Sequence, residues 1–331
     1  MAGVQDSRLA IAVSQAGGLG ALPCAMLTPQ AMRTQISQLQ QSGLPYNVNF
    51  FCHQPQNATT EQLTRWRDRL QPWYRQYAVD EEPKAANRAP FDEDAAQLLA
   101  EFKPPIVSFH FGLPSAKLMA QIKNNGSRVF STATTVEEAL WLAQNGADAI
   151  IAQGLEAGGH RGHFLSHDLS LQMGTMALLP QVVQALAPYK TKVIAAGGIS
   201  HPSAVAAALQ LGACAVQVGT AFLCSDEANT SAVHRAALQS PAARHTTLTT
   251  IFSGRPARGI VNNAIQTLGA LPADVPPFPH ASSAWGPIRS AAEAQGSGDV
   301  SPLWCGQSAH TCQSLPAAHI VQWLQSGLKT K

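Results

Sequence analysis

The stretch IIAQGLEAGGHRGHF (150–164) gathers groups that can do chemistry: an amide at Gln153, an acid at Glu156, imidazoles at His160 and His163, and a guanidinium at Arg161, spaced by four glycines. Its apolar start reads as a buried strand. The polar groups then fall in the loop at the strand's carboxyl end, where parallel α/β sheets hold their ligands. Gln153 offers a donor and an acceptor together, which suits a ring edge carrying N–H and C=O groups. Gly158 and Gly159 permit the loop to fold over such a ring and carry His160 to its tip. An imidazole there serves either as a general base or as the partner of an anion, with a structural histidine as the plain alternative. Glu156 and Arg161 read as a pair that holds the loop. His163 and His167 lack a third ligand, so no metal site is expected.

Two later strand ends have the character of a phosphate cradle. VIAAGGIS ends in Gly197-Gly198, and VQVGTAFL carries Gly219-Thr220. Glycine lets backbone N–H groups approach a phosphate closely, and the loops after late barrel strands commonly do this. Either pair alone is as readily a turn; in consecutive units, a phosphorylated ligand explains both better. His110 in SFHFG and Asn49 in YNVNFF end two further strands and would face the same rim. Asn49 can donate to a bound ring or simply terminate its strand.

These loops need a scaffold, and the chain repeats one. Short apolar runs (YNVNFF, PIVSFHFG, RVFSTAT, DAIIAQG, KVIAAGG, AVQVGTAFL) alternate with helical segments such as TPQAMRTQISQLQQSG, where Thr28 caps and Pro29 occupies the first turn. Ser7 is read as the cap of a first helix over Arg8 to Gln15. Strands without strict polar alternation, each followed by a helix, indicate a parallel sheet covered by helices. Seven such strands are counted from Leu22, and the eighth of a closed barrel would precede Met1. Residues from about Gln54 to Arg88 form a polar insertion, helical over TTEQLTRWRDRLQPWYRQYAV. After Leu223 the repeat ends, and SLPAAHIVQWLQSG is expected to return as a helix to the barrel wall.

At 331 residues the chain can hold one large α/β domain or two smaller ones. Charged residues make up 13%, about half the ~25% typical of globular proteins, which favours a compact globule. A net charge of +2 without a basic run provides no footprint for nucleic acid, while a small anionic substrate stays open. No apolar stretch reaches the roughly 18 residues that span a bilayer and no secretory leader is evident, so a cytoplasmic protein is expected. The six cysteines form no C-x-x-C pair and read as reduced, mostly buried thiols.

Taken together, SQAGGLGAL, VNFF, SFHFG, QGLEAGGHRG, AAGGIS, QVGTAFL and the tail PLWCGQSA resemble the nitronate monooxygenases, formerly 2-nitropropane dioxygenases. The resemblance implies a TIM-type (β/α)8 barrel that binds FMN, its first strand short or missing, with a second, smaller α/β domain. Residues 1–223 and 301–331 would form the barrel, and 224–300 the smaller domain and a loop covering the site. Carried over by position, Asn49, Gln153, Gly158, Gly198, Gln217, Val218, Gly219 and Thr220 would hold FMN. His160 would be the catalytic histidine, His110 a second one in the pocket, and Met1 to Gly3 a loop beside the flavin.

The implied reaction is oxidation of an anionic alkyl nitronate, with propionate 3-nitronate among the candidates, by FMN and O2 to a carbonyl compound and nitrite. His160 would stabilise the anion or remove a carbon proton. A monomer or weak homodimer is expected, acting on small molecules and not on membranes. One departure stands out: Phe278 and Ser282 occupy positions where tyrosines are usual, and no lysine follows. An NAD(P)H-dependent flavin reductase acting on a quinone or enoyl thioester, or a flavin-binding protein without turnover, are the alternatives on the same scaffold.

Overall fold

The computed structural model describes residues 1–82 and 88–329. Seven parallel strands form one sheet in chain order: β1 (Gly20–Pro23), β2 (Tyr46–Phe51), β3 (Ile106–His110), β4 (Arg128–Ala133), β5 (Ala149–Gln153), β7 (Lys192–Ala196) and β8 (Ala215–Gln217). The short β6 (Gly159–His160) belongs instead to an antiparallel sheet with β10 (Ala257–Ile260) and β9 (Thr246–Thr249). The large sheet is the wall of a TIM-type barrel. No eighth parallel strand occurs among the described residues, and residues 1–5 lie beside the gap, where the Gln5 side-chain amide donates to the Ala21 carbonyl.

The helices between strands are α1 (Ser7–Gln15), α2 (Pro29–Gln41), α4 (Glu93–Phe102), α5 (Ala116–Asn124), α6 (Val136–Gln144), α7 (Thr175–Leu186) and α8 (Pro202–Gln210), with α3 (Thr60–Gln76) in the insertion. Beyond the wall come α9 (Ala232–Leu238), α10 (Asn263–Leu268), α11 (Ala281–Ala294) and α12 (Ala317–Gln325). Their starts follow local chemistry. Thr28, Ser115 and Thr135 each accept a backbone N–H of the first turn, and Thr59 with Gln62 makes a reciprocal capping box. In α1 the cap is Asp6, which accepts from Arg8 N, and Ser7 is the first helical residue. An aspartate one position earlier does the task that Ser7 was expected to do.

Strand β5 is buried along its whole length, as a run enclosed by neighbours and helices must be. One core cluster joins Ile150, Leu178, Val182, Leu142 and Ile320 beneath α6, α7 and α12; a second joins Leu22, Val48, Val107, Ile36 and Leu99. Thus α12 does return to the wall. A third core lies apart from both: Trp66, Leu70 and Trp73 of the insertion pack with Ile265 of α10 and Trp285 and Ile288 of α11. The insertion therefore shares its apolar face with the segment after residue 223.

Parallel register fixes which residues share the rim. Asn49 lies opposite Ser108, Gln153 opposite Ala196, and Ala196 opposite Gln217. Strand β8 stops at Gln217 although the apolar run continues, because the chain turns at Gly219 into a 3₁₀ turn over Thr220–Phe222.

Candidate active site

At the carboxyl ends of the strands is a cavity of about 360 Å³, within the range of small-ligand sites. Every site residue named from the sequence lines it: Asn49, His110, Gln153, Gly158, His160, Gly198, Gln217, Val218, Gly219 and Thr220. Residues 1–5 line it too, with Asn47, Arg88, Ser108, Glu156, His234, Arg289 and Trp304.

The loop carrying His160 is fixed from several sides. As strand β6 it pairs with β10, His160 facing Ala257 and Gly159 facing Arg258. The His160 carbonyl accepts from Gln153 Nε2 at 3.1 Å and bonds His110 Nε2 at 3.1 Å. A carbonyl only accepts, so His110 carries its proton on Nε2, and in the neutral ring Nδ1 accepts from Thr132 Oγ1 at 3.1 Å. Burial pushes His110 down to about 3, which keeps it neutral. Gln153 Oε1 accepts from Gly162 N at 2.8 Å. One donor and one acceptor site of Gln153 and both ring nitrogens of His110 are thus used in aiming the loop, and both residues line the cavity.

Glu156 and Arg161 hold the loop, but not as a pair. Arg161, fully buried, donates to the carbonyls of Gly154 and Gln153 and to Gln172 Oε1, each at 2.7 Å. Glu156 accepts from Thr175 N and Thr175 Oγ1 at 2.9 Å, tying the loop to the start of α7. Gly158 is required by packing: a Cβ there would lie 2.4 Å from the Cys305 carbonyl carbon. A further anchor is Glu138 on α6, 1% exposed, which accepts from Thr134 N at 2.7 Å, Thr134 Oγ1 at 2.8 Å and Phe164 N at 2.6 Å. Glu138→Gln turns one acceptor into a donor facing donors, and a loss of about 3 kcal/mol in stability is expected from urea unfolding.

His160 Nε2 is 2.8 Å from Ser253 Oγ. Its ring sits among Phe278 at 5.4 Å, Trp304 at 5.7 Å, Phe111 at 6.2 Å and Phe51 at 6.4 Å between centroids. Burial, reinforced by Arg88 nearby, lowers its pKa well below the ordinary value. A neutral imidazole can take a proton; it brings no positive charge. Phe278 is buried in this aromatic wall, and Ser282 Oγ donates to the Pro279 carbonyl at 2.7 Å within its own helix end.

Burial also pushes His53 and His234 to about 4 and His163 to about 3. The unfolded chain, near 6.5, takes up these protons first. Stability is therefore complete above that pH and is lost as pH falls toward the folded values, each group contributing about 1.4 kcal/mol per pH unit. The urea midpoint is expected to drop steeply between pH 6.5 and 5. A flat profile would contradict the neutral assignment.

On the other side of the rim, Ser108 Oγ accepts from Asn47 Nδ2 at 2.8 Å and from Asn49 Nδ2 at 2.9 Å, leaving its own proton to donate. Asn47 Oδ1 is buried without a partner among the described residues. Asn47, Ser253, Glu138 and Arg88 were not legible as site residues. For Asn47 a signal existed, since it lies two residues before Asn49 and shares its face of the strand. Around the cradle, a Cβ built on Gly219 meets only Met1 Cγ and Sδ, both at 3.7 Å, so it would project into open cavity. Thr220 Oγ1 accepts from Gly306 N at 2.9 Å, and Ser308 Oγ donates to the Gly198 carbonyl at 3.0 Å, so the tail braces the cradle.

A parallel barrel with a ligand cavity at its carboxyl rim, a glycine cradle and buried, neutral histidines among its lining defines an enzyme of the α/β-barrel class. The nitronate monooxygenase family model matches residues 1–326, and the chain belongs to that family of oxidoreductases. It is 40% identical to a nitronate monooxygenase of Paraburkholderia phytofirmans, covering 99% of this chain and 90% of the relative. Against the nitronate monooxygenase of Pseudomonas aeruginosa the identity is 39%, covering 99% and 94%. In structure it is similar to nitroalkane oxidase from Streptomyces ansochromogenes, with a TM-score of 0.90 at 36% identity over 99% of this chain and 93% of that one. FabK of Thermotoga maritima superposes with a TM-score of 0.70 at 27% identity, covering 99% and 90%. No helix among the described residues is long and apolar enough to cross a membrane.

Proposed function

We propose that the chain oxidises small alkyl nitronates with FMN and O2, giving a carbonyl compound and nitrite. The observation that carries this reading is the convergence of a neutral, rigidly aimed His160 and an open glycine cradle in one cavity. The residues present fit a flavin mononucleotide. Gly198, Gly219 and Thr220 would take the phosphate, and the space at Gly219 is what a Cβ would fill. The unpartnered Asn47 Oδ1 and the free proton of Ser108 offer an acceptor and a donor to a ring edge. Gln153, Gly158 and Gln217 complete the enclosure, with Asn49 held by Ser108 beside them. Once bound, FMN supplies the electron acceptor, and O2 is the final oxidant.

His160 handles the proton of a neutral nitroalkane. Ser253 Oγ donates to the Arg255 carbonyl at 3.2 Å, which leaves it to accept from His160 Nε2–H. Nδ1 then holds the lone pair that removes the carbon proton, and Ser253 stays bonded to the imidazolium that forms. The aromatic wall of Phe51, Phe111, Phe278 and Trp304 excludes water from this step.

The purified protein is expected to be yellow and to release FMN, not FAD, on denaturation, identified by chromatography of the supernatant. A colourless preparation that takes up no FMN would overturn the cofactor assignment.

A further inference from the structure

A neutral His160 leaves a question open: what balances the charge of an anionic substrate? Among the described residues that line the cavity, the one carboxylate is Glu156, which is held by Thr175. Two arginines line it as well. Arg289 Nε is paired with Glu293 at 2.6 Å, so its charge is already answered. Arg88 differs. It forms no ion pair among the described residues, and its Nη1 is buried with no hydrogen-bond partner there. The groups acting on its charge are burial and the like charge of Arg289, both unfavourable to a cation. A buried, unanswered guanidinium nitrogen is costly, and at the wall of a ligand cavity a bound anion would answer it.

Its surroundings hold it in place. The guanidinium carbon lies 5.7 Å from the centre of the Phe278 ring, a cation–π placement, and the buried His53 ring packs on the same Phe278 ring at 4.8 Å between centroids. Phe278 in turn packs against His160, so charge and base share one aromatic partner. Resting on the nitronate reading above, we infer that Arg88 supplies the counter-charge for the substrate's anionic two-oxygen group. A nitronate presents two oxygens in one plane, as a carboxylate does, and a guanidinium fork matches that shape. His160 and Arg88 then divide the work: the base serves a neutral nitroalkane, the cation holds the anion. Phe278, where the family usually has a tyrosine, provides the apolar ring under that cation.

Isobutyrate tests this directly, because it closely matches propane-2-nitronate in shape and charge but cannot be oxidised in the same way. Calorimetric titration of the flavin-loaded protein is expected to give isobutyrate binding that weakens at least about 10-fold in Arg88→Gln, with part of the affinity regained in Arg88→Lys. Neutral isobutyramide is expected to shift by less than about twofold. In parallel, the KM for propane-2-nitronate should rise more than kcat falls. Equal isobutyrate affinity in the parent and Arg88→Gln would overturn the assignment. Arg88-dependent isobutyrate binding without nitronate turnover would keep the anion site and remove the nitronate reading. Nitronate turnover with an unchanged KM in Arg88→Gln would do the reverse.

Discussion

His160→Asn is expected to keep the flavin spectrum and to lower turnover of neutral 2-nitropropane by about 10²–10⁴-fold, the usual loss for a removed general base. Asparagine preserves the main chain, and what holds this loop is mostly main chain: the His160 carbonyl bonded to His110 and Gln153, and the pairing with β10. The fold and the cavity should therefore survive. A preformed nitronate has already lost its proton and should be affected far less. Steady-state oxygen consumption on the two substrates separates the roles. Equal losses on both would make His160 a binding residue, and unchanged rates would make it structural.

Gly219→Val is expected to weaken FMN binding by at least about 10²-fold, from loss of charge-assisted backbone contacts and direct occupation of the cradle. Its backbone angles, φ −115° and ψ −66°, are open to an L-residue. The built Cβ touches only Met1 at ordinary contact distance, so folding should change little. Gly158→Ala makes the contrast, since its Cβ would collide with the Cys305–Gly306 backbone and damage the structure itself. Fluorescence titration with FMN and a thermal melt of each variant check the pair. Full FMN affinity in Gly219→Val would place the phosphate elsewhere.

The barrel was legible because short apolar runs alternate with helices, most of which start at a side-chain cap, and capping chemistry is local. The rim residues followed, since the end of a parallel strand is a position that sequence can locate. What escaped depends on distant pairing. Strand β6 is two residues long, too short for any periodicity, and its partner β10 lies almost a hundred residues further on. Glu138 sits in TVEEAL, which local sequence marks only as the start of a helix, yet it is buried by a loop it does not neighbour in sequence. Arg161 and Glu156 looked like partners because they are close in the chain; the fold gives each a backbone or hydroxyl partner instead. Arg88 stands at the end of an insertion with no motif, and only the third dimension sets it over Phe278.

The most direct measurement of the central claim is oxygen uptake with nitrite release by the FMN-loaded protein on propane-2-nitronate, run beside anaerobic mixing with NADH and NADPH. The account predicts oxygen uptake and nitrite on the nitronate and a flavin left oxidised by both nicotinamides. Anaerobic bleaching by a nicotinamide, with no nitrite from the nitronate, would contradict it.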